Sequence, residues 1–501
     1  MFYGVGILFS LALAGVWPFT YIVHLLLSKH NYTSRTPPGP SGIPFIGHLH
    51  LMGDHPHRSL QKLSQKYGPV MQLQLGLLPT IVVSSSEMVE SFLKHHDLNF
   101  VSRPKIQASK HLSYGTRGVI VSDYGPYWRT ARKLCSLHLL SVSKVDSFKS
   151  LRKQEVINLI RSLEIAAVCD ETVNISSQVR SMIENVSYTM IFGSKCKGRS
   201  EFKQCIEEAL GLIATTNIAD FIPFLEPLDL QGLKRRMKKV SRVMDTFLEE
   251  IIDEHEQNFN CEHKDFIDVM ISQLKSGNAR EERFTRSDIK AIILDIIEST
   301  SNTSAATIEW TLTELLMHSE VMTRVQEELT TVIGMDRIVE EGDLGKLVYL
   351  DMVIKEVIRL RPVSPIIPRK SINDITIEGF HIPKNSLVII NAWAVGRDQK
   401  MWSDTAEDFC PERFNNVEID IRGPDYKMIP FGAGRRKCPG TELGLRTVKL
   451  VLAQILHCFS LELPNGVSPA DIDTKEIFGI AIRRVNPLHI VPTSRLAVKT
   501  I

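Results

Sequence analysis

The sequence predicts a mainly α-helical protein with a minor β portion, preceded by a single N-terminal transmembrane helix. Three observations support this prediction. Apolar residues recur with the helical period through most of the chain, strand-like runs occupy only a few short stretches, and the first 28 residues carry no charged side chain. With 501 residues, of which 43% are hydrophobic, the chain can bury a large core.

Residues 1–28 are predicted to be an uncleaved membrane anchor. The stretch from Leu8 to Leu27 is almost wholly apolar, and a bilayer core of roughly 30 Å needs a helix of about this length. A cleaved signal peptide is the competing interpretation, but no basic residue precedes the apolar run. Lys29 and Arg35 follow it, which favours a cytosolic location for the rest of the chain. In that topology, four glycosylation sequons stay unmodified, at Asn31, Asn174, Asn185 and Asn302.

Residues 29–44 are predicted to be a proline-rich linker, and residues 45–501 a single body. Consecutive prolines at Pro37 and Pro38 lock φ and favour an extended, stiff backbone. Beyond this segment the chain contains no repeat period, no low-complexity tract and no second linker.

Within the body, strand-like runs cover Val70 to Leu75 and Thr80 to Ser84, and they return near Ile375 to Ile390 and Phe478 to Pro492. Helical periodicity is clear in six longer stretches: Lys144 to Leu163, Leu233 to Glu256, Arg286 to Met317, Val321 to Ile333, Leu347 to Leu360 and Thr441 to Phe459.

Charge and cysteine usage exclude several classes of function. The net charge is +2, so no global field would attract nucleic acid, and no nucleic-acid partner is expected. The eight cysteines are scattered without any Cys-x-x-Cys pair. This pattern is typical of reduced, mostly buried thiols in a reducing compartment, and it indicates neither a disulfide framework nor a zinc site.

One cysteine, Cys438, lies in a segment suited to holding a flat metal cofactor. It stands between Gly434 and Gly440, seven residues after Phe431, and a predicted helix starts at Thr441. Glycines let the backbone approach a macrocycle closely, and amides at a helix start can stabilise a thiolate. The full array Phe-x-x-Gly-x-Arg-x-Cys-x-Gly is much more specific than an isolated cysteine in a basic, glycine-rich loop.

This array resembles the cytochrome P450 superfamily, in which a cysteine thiolate ligates haem iron. Two further motifs, in the expected order, extend the resemblance. Glu356 and Arg359 stand three residues apart on one predicted helix, and Arg413 follows in Pro-Glu-Arg-Phe. In the family these three side chains form a structural network on the cysteine side of the haem.

The resemblance covers essentially the whole chain and implies a set of haem-binding residues. Residues 45–501 would be the haem-thiolate catalytic domain, with haem b as cofactor and Cys438 as the iron ligand. Arg436 can pair with a haem propionate, Phe431 belongs to the same site, and Arg435 and Lys437 can face outwards. Three more haem-binding residues come from the family's Trp-x-x-x-Arg helix and from the stretch after Glu-x-x-Arg: Trp128, Arg132 and Arg369.

The helix predicted over Arg286 to Met317 resembles the family's oxygen-activating helix, but it departs from the usual Ala/Gly-Gly-x-Asp/Glu-Thr pattern. Thr303 occupies the position of the proton-delivering threonine. Ser299 and Thr300 replace Ala-Gly, and Asn302 replaces the acid, although an amide cannot titrate as a carboxyl does. We expect the hydroxyls of Ser299, Thr300 and Thr303, with water, to relay protons, and Ser or Thr bonding to the preceding turn to open the helix.

Within the superfamily, several stretches resemble plant microsomal enzymes that act on small lipophilic specialised metabolites: Pro37 to Pro40, His57 to Leu60, Asp220 to Leu225 and Asp229 to Gly232. This resemblance implies monooxygenation of a terpenoid or phenolic substrate, with electrons from NADPH through NADPH–cytochrome P450 reductase, at the endoplasmic reticulum membrane. Apolar residues are expected to line the substrate cavity: Val119, Ile120, Ile366, Ile367, Phe478 and Ile480. Basic residues are expected to cluster on the thiolate side, where an acidic reductase could dock: Arg129, Lys133, Arg435 and Lys437.

Two alternatives stay open at this point. The departures at Thr300 and Asn302 are compatible with a haem-thiolate isomerase or dehydratase that needs no reductase. A membrane-tethered haem carrier or sensor without catalytic activity is the other alternative, although no feature of the sequence specifically favours it.

Overall fold

A computed structural model of the protein describes residues 35–193, 200–257, 265–276, 284–415, 419–423 and 425–496. Helices dominate these residues and strands form a minor portion, which confirms the predicted class. Within the described ranges, no helix is both long and apolar enough to cross a membrane. The predicted transmembrane helix, residues 1–28, lies outside them.

The helices follow the predicted periodicity closely, and the helix over Arg286–Met317 begins and ends at the predicted residues. The stretch predicted as one helix from Lys144 to Leu163 is two helices, because the backbone of Phe148 (φ −91°, ψ 10°) leaves helical geometry. In chain order the helices are α1 Pro56–Tyr67, α2 Ser86–Glu90, α3 Gln107–Leu112, α4 Pro126–His138, α5 Val142–Ser147, α6 Lys149–Cys169, α7 Ile175–Phe192, α8 Ser200–Ala214, α9 Ile218–Phe221, α10 Leu233–Gln257, α11 Phe266–Ser276, α12 Arg286–Met317, α13 Ser319–Ile333, α14 Val348–Leu360, α15 Ala392–Val395, α16 Gln399–Trp402 and α17 Thr441–Cys458.

In the described ranges, the strands form one four-stranded sheet and three smaller sheets. They are β1 Val70–Leu75, β2 Leu78–Val83, β3 Val173–Asn174, β4 Ile366–Lys370, β5 Ile375–Ile377, β6 Phe380–Ile382, β7 Leu387–Asn391, β8 Phe459–Glu462, β9 Glu476–Ile477, β10 Arg483–Arg484 and β11 His489–Ser494.

The main sheet has the strand order β1-β2-β7-β4. Antiparallel pairing joins β1 to β2 and β4 to β7, whereas β2 and β7 are parallel, with Val83 opposite Ile390. The hairpin predicted between Phe478 and Pro492 is only partly correct. The strands β9 and β10 pair with each other, but β11 leaves them and pairs with β8 and β3.

Helix α12 runs through the core between α7 and α17. It begins with a capping box, in which the Thr285 hydroxyl donates to the Asp288 carboxylate at 2.6 Å. Every residue from Asp288 to Glu298 is buried, and the burial is interrupted at Ser299, which is exposed. A helix that is buried on all sides and then opens locally is positioned to line an internal space.

The described part of the proline-rich segment lies against the main sheet. The Pro38 carbonyl accepts a hydrogen bond from the Gln72 amide of β1 at 2.8 Å. A Cβ on Gly39 would stand 2.0 Å from the Gln72 carbonyl oxygen, so only glycine permits this approach. The segment therefore joins the body along β1.

Candidate functional site

The cysteine loop, residues 431–440, is held in shape by its own backbone and by one buried carboxylate. The Cys438 amide donates to the Phe431 carbonyl at 2.8 Å. Gly434 has φ +67°, and a Cβ there would lie 2.1 Å from a carboxylate oxygen of Asp97. Glycine is therefore required at this position for both its backbone conformation and its contact with Asp97.

The Cys438 sulfur borders an internal space. The side chain is exposed, yet it lies deep in the molecule, and this burial raises the pKa of the thiol. The Gly440 amide, the guanidinium of Arg132 and the Thr441 hydroxyl oppose the increase. Because α17 begins at Thr441, the sulfur lies at a helix N-terminus, as the sequence predicts. The helix start favours the thiolate, but burial outweighs it and the pKa stays raised.

Beside this loop lies a cluster of buried guanidinium groups whose hydrogen-bonding capacity is unmet. Arg369 is 1% exposed, and neither Nε nor Nη2 has a hydrogen-bond partner among the residues that the structure describes. Burial, and then repulsion from Arg103 and Arg436, holds the pKa of Arg369 well below its usual value. The Nη2 atom of Arg369 would stand 3.8 Å from a Cβ on Gly432, at the edge of the cysteine loop.

This cluster fits the two propionates of haem, because buried cations with free N–H groups require anions. Arg103 is part of the cluster although sequence analysis missed it. Its Nη1 donates to the Pro368 carbonyl at 2.6 Å, its Nε has no partner within the described ranges, and burial lowers its pKa to about 10.

Three other predicted haem-binding residues lie together, and their donors are partly occupied. The Trp128 indole nitrogen donates to the Val119 carbonyl at 2.9 Å. Arg436 donates to three backbone carbonyls, including that of Val119 at 3.1 Å, and its guanidinium lies 4.3 Å from the Trp128 ring. Arg132 donates to the carbonyl of Lys437. Since a guanidinium has five N–H groups, both arginines keep donors for a further acceptor.

The predicted structural network is present and saturated. Arg359 holds Glu356 through two bonds of 2.7 and 2.8 Å, and Arg413 adds a third at 2.8 Å. The amide of Cys410 donates to the same carboxylate at 2.8 Å. These four bonds offset the cost of burying the charges, so the network fixes the backbone on the cysteine side.

On α12, the predicted relay residues form a polar stripe. Ser299 is exposed, and Thr300, Asn302 and Thr303 are partly exposed. The three hydroxyls donate to carbonyls four residues earlier, at 2.6 Å for Ser299 and 2.8 Å for both Thr300 and Thr303. Ser and Thr therefore bond to the preceding turn, as the sequence analysis expected.

Helix packing brings this stripe towards the cysteine loop. A Cβ on Gly444 of α17 would lie 3.8 Å from the Ser304 hydroxyl of α12. Gly444 follows Cys438 by six residues, and Ser304 directly follows Thr303. The internal space bordered by Cys438 thus lies where α12 and α17 meet.

Sequence analysis also missed two buried carboxyl groups on α12. Asp295 accepts hydrogen bonds from the amides of Val119 and Ile120, the latter at 2.9 Å. Burial raises the pKa of Asp295 to about 7. Burial, with repulsion from Asp295, raises the pKa of Glu298 to about 8. A glutamate on a helix is ordinarily solvated, so sequence alone carried no signal for Glu298.

The segments expected to line the substrate cavity are brought together only in part. Val119 and Ile120 meet α12 through Asp295. A Cβ on Gly479 would lie 3.6 Å from the Cβ of Ala214, which ends α8. The neighbouring Phe478 stacks on the buried ring of His57, with centroids 5.7 Å apart.

Of the basic residues expected on the thiolate side, two are exposed to solvent and two are partly engaged in contacts within the protein. Arg129 and Lys133 are exposed on α4. Arg435 pairs with Asp97 at 2.8 Å, and Lys437 donates to the Gly423 carbonyl at 3.0 Å, so both are partly committed to holding the loop.

A cysteine thiol at a helix start, a buried guanidinium cluster and a hydroxyl-lined helix define a haem-thiolate protein. Comparison with known proteins agrees: the family model described as Cytochrome P450 matches residues 37–491. The chain belongs to the cytochrome P450 family and is an oxidoreductase of the monooxygenase type.

Several plant proteins are similar to this chain over nearly its whole length. "Cytochrome P450 CYP736A12" of Panax ginseng is 48% identical over 477 residues, which cover 94% of this chain and 95% of that protein. "Flavonoid 3'-monooxygenase" of Arabidopsis thaliana is 38% identical over 94% of this chain and 93% of that protein. "Germacrene A acid 8-beta-hydroxylase" of Inula hupehensis is 38% identical over 94% of this chain and 95% of that protein.

A solved structure shares the fold. The zebra fish cytochrome P450 determined with progesterone superposes with a TM-score of 0.76, at 26% identity, over 88% of this chain and 99% of that chain. The mainly helical architecture with a minor sheet portion is therefore the cytochrome P450 fold.

Proposed function

We propose that this chain is an NADPH- and O2-dependent monooxygenase that oxidises a small lipophilic plant specialised metabolite, such as a terpenoid or a phenolic. The carrying observation is the buried Arg103–Arg369 cluster beside the Cys438 loop, which calls for the propionates of a haem. The names of its relatives, which include a flavonoid 3'-monooxygenase and a germacrene A acid 8-beta-hydroxylase, support the substrate class.

In this proposal Cys438 ligates the iron, and Phe431 lies beside the haem. The propionates bind Arg369, Arg132 and Arg436, as the sequence predicts, together with Arg103. Trp128, also predicted there, packs beside the Arg436 guanidinium, and its one N–H donates to the Val119 carbonyl instead. When bound, haem supplies oxygen activation and insertion into a substrate bond.

The residues of α12 hold and move protons for this reaction. Ser299, Thr300 and Thr303 each have an acceptor lone pair left while donating to the helix, so ordered water can bind to them. Asn302 can orient such a water, although it cannot supply a proton by titrating.

Replacement of Thr303 by alanine tests this assignment. We expect product formed per NADPH consumed to fall about threefold or more, because one hydroxyl of the relay is lost. The Thr303→Ser variant, which keeps the hydroxyl, is the control. Coupling that is unchanged in Thr303→Ala would remove Thr303 from the relay.

A haem-thiolate isomerase or dehydratase is the second candidate, favoured by Asn302 at the position of the usual acid. Expression in microsomes with NADPH–cytochrome P450 reductase, a reduced carbon monoxide difference spectrum and a screen of terpenoid and phenolic compounds separates the two. Turnover that persists without NADPH would favour the isomerase or dehydratase.

We further propose a single-pass location in the endoplasmic reticulum membrane, with the body in the cytosol. Supporting it, a patch of exposed apolar side chains lies where three segments meet. The Leu77 amide donates to the Phe221 carbonyl at 2.8 Å, and the Gly76 amide donates to the Ile46 carbonyl at 3.1 Å. The exposed members of the patch are Ile43, Phe45, Ile46, Leu77, Phe224, Leu228 and Leu230.

The glycosylation sequons test this topology. In eukaryotic expression, we expect no change in mobility after endoglycosidase treatment. Modification at Asn174 or Asn185 would place the body in the lumen instead.

A further inference from the structure

The Glu298 carboxyl group is buried and has no hydrogen-bond or ion-pair partner in the part of the chain that the structure describes. The residue is 8% exposed and lies on α12 directly before Ser299, where the helix opens onto the internal space. Among the described residues no side chain or backbone group hydrogen bonds to its carboxyl. Nε and Nη2 of Arg369 are fully enclosed by protein atoms, whereas the Glu298 carboxyl oxygens keep some accessible surface. Its oxygens therefore border a space inside the protein.

The surroundings of this carboxyl place it in the wall of the proposed substrate cavity. Asp295, which precedes it by three residues, lies on the same side of α12. The Asp295 carboxylate accepts hydrogen bonds from the amides of Val119 and Ile120, two apolar residues expected to line the substrate cavity. Glu298 thus lies where α12 meets the loop that carries Val119 and Ile120.

Charge determines the kind of group that Glu298 can receive. No cation of the described residues pairs with it, and its one charged neighbour is Asp295, which repels its anion. The carboxyl is therefore protonated near neutral pH, so it both donates and accepts a hydrogen bond. A hydroxyl group has the same two capacities.

We propose that Glu298 is a specificity-determining residue that hydrogen bonds to a hydroxyl group on an otherwise apolar substrate. This inference rests on the proposed function and narrows its substrate class to hydroxylated lipophilic molecules. The protonated carboxyl and the substrate hydroxyl can each donate a hydrogen bond to the other and accept one from it, and no charge is left in the cavity. A hydrocarbon of the same shape leaves the buried carboxyl unsatisfied and is rejected for that reason.

The test uses holoprotein and a matched pair of probes, geraniol and the hydrocarbon 2,6-dimethyl-2,6-octadiene, with binding measured by equilibrium dialysis. We expect the native protein to bind the alcohol about tenfold more tightly than the hydrocarbon. In Glu298→Leu this preference should disappear. In Glu298→Gln most of it should remain, because an amide also donates and accepts.

Glu309 provides the matched control, because it is another buried acid of α12 but is already bonded to the Ser176 hydroxyl. Glu309→Gln should leave the alcohol preference unchanged. An equal preference in native protein and Glu298→Leu overturns the inference. Loss of the preference in Glu298→Gln also overturns it, since an anionic carboxylate would then be the recognising form.

Failure of this inference can be told apart from failure of the proposed function. The binding measurement needs neither reductase nor NADPH, and the carbon monoxide spectrum reports the haem site independently. Holoprotein with a normal spectrum and NADPH-dependent turnover, but no role for Glu298 in alcohol preference, contradicts the inference alone.

Discussion

On the cysteine side of the protein a buried glutamate is fully hydrogen bonded, whereas on the α12 side a buried glutamate has no partner among the described residues. On the cysteine side, Glu356 receives bonds from Arg359, Arg413 and a backbone amide. On the α12 side, Glu298 receives none from the described residues. Both glutamates are buried, so the difference lies in what surrounds them rather than in their depth.

The guanidinium groups repeat this contrast. Arg359 is bonded through all three nitrogens, whereas Arg369, equally buried, has two nitrogens without partners. A buried ion whose hydrogen bonds are all made helps to hold the fold in place. A buried ion with unused donors or acceptors destabilises the fold until a ligand supplies the missing hydrogen bonds. The cysteine side is thus built to be rigid, and the guanidinium cluster and α12 are built to bind.

The largest effect is expected at the saturated network. Replacing Glu356 by alanine takes the carboxylate partner from the buried guanidinium of Arg359 and the partly buried one of Arg413, and should lower the free energy of unfolding by about 3–5 kcal/mol. The yield of holoprotein, from the reduced carbon monoxide spectrum, and the thermal unfolding temperature measure this. Glu208→Ala is the control, since Glu208 pairs with Arg236 and their side chains are 43% and 59% exposed, and it should cost about 1 kcal/mol or less. If the Glu356→Ala protein folds and binds haem normally, the network around Glu356 does not hold the cysteine side rigid.

At the unsaturated cluster, stability and haem binding should change in different directions. Arg369→Leu removes a buried cation that pairs with no carboxylate among the described residues and whose one hydrogen bond, to the Pro368 carbonyl, is long at 3.3 Å, so the haem-depleted protein should be no less stable. Haem transfer to apomyoglobin should nevertheless be about tenfold faster, because one propionate contact is lost. Arg361→Leu should show the reverse, with lower stability and unchanged haem transfer, because Arg361 is paired with Glu314 at 2.9 Å. Slower haem transfer from Arg369→Leu would refute the assignment of the cluster.

The protonated state of Glu298 should be visible in the pH dependence of stability. Its pKa rises from 4.5 to about 8 on folding, so the stability it contributes is present below about pH 4.5 and is lost as pH rises towards 8. Glu298→Gln removes this loss. Calorimetry should find the variant more stable than the native protein by on the order of 1–2 kcal/mol at pH 8, and equal to it near pH 5. A pH-independent difference would mean that Glu298 does not titrate.

The smallest effect is expected at the exposed basic surface. Charge reversal at Lys133 should slow iron reduction by the reductase a few-fold at low salt, and salt should abolish the difference. Arg235→Glu on α10, where the side chain is 82% exposed, is the control with the same change of charge. Equal reduction rates for the two variants at low salt would exclude docking at Lys133.

Sequence reasoning succeeded where the determinants are contiguous in the chain. The period of α12 defined both of its ends, and the glycines around Cys438 indicated a tight loop followed by a helix. The pair Glu356 and Arg359 could be predicted because a helix brings residues three apart onto one face.

It failed where partners are distant in sequence. Asp97 and Arg103 reach the cysteine loop from more than 300 residues away, and neither stands in a motif that points there. The loop around Val119 meets α12 at Asp295, three residues before Glu298, and only the tertiary structure brings that loop to the helix. Local sequence patterns carry no information about tertiary contacts between residues that are far apart in the chain.

The parallel pairing of β2 with β7 has a consequence for synthesis. Val83 lies opposite Ile390, so the main sheet cannot close until about 300 further residues have left the ribosome. At about 5–20 residues per second this interval lasts roughly 15–60 seconds. During it the β1–β2 hairpin exposes an unpaired apolar edge, which makes the nascent chain a natural client for chaperones.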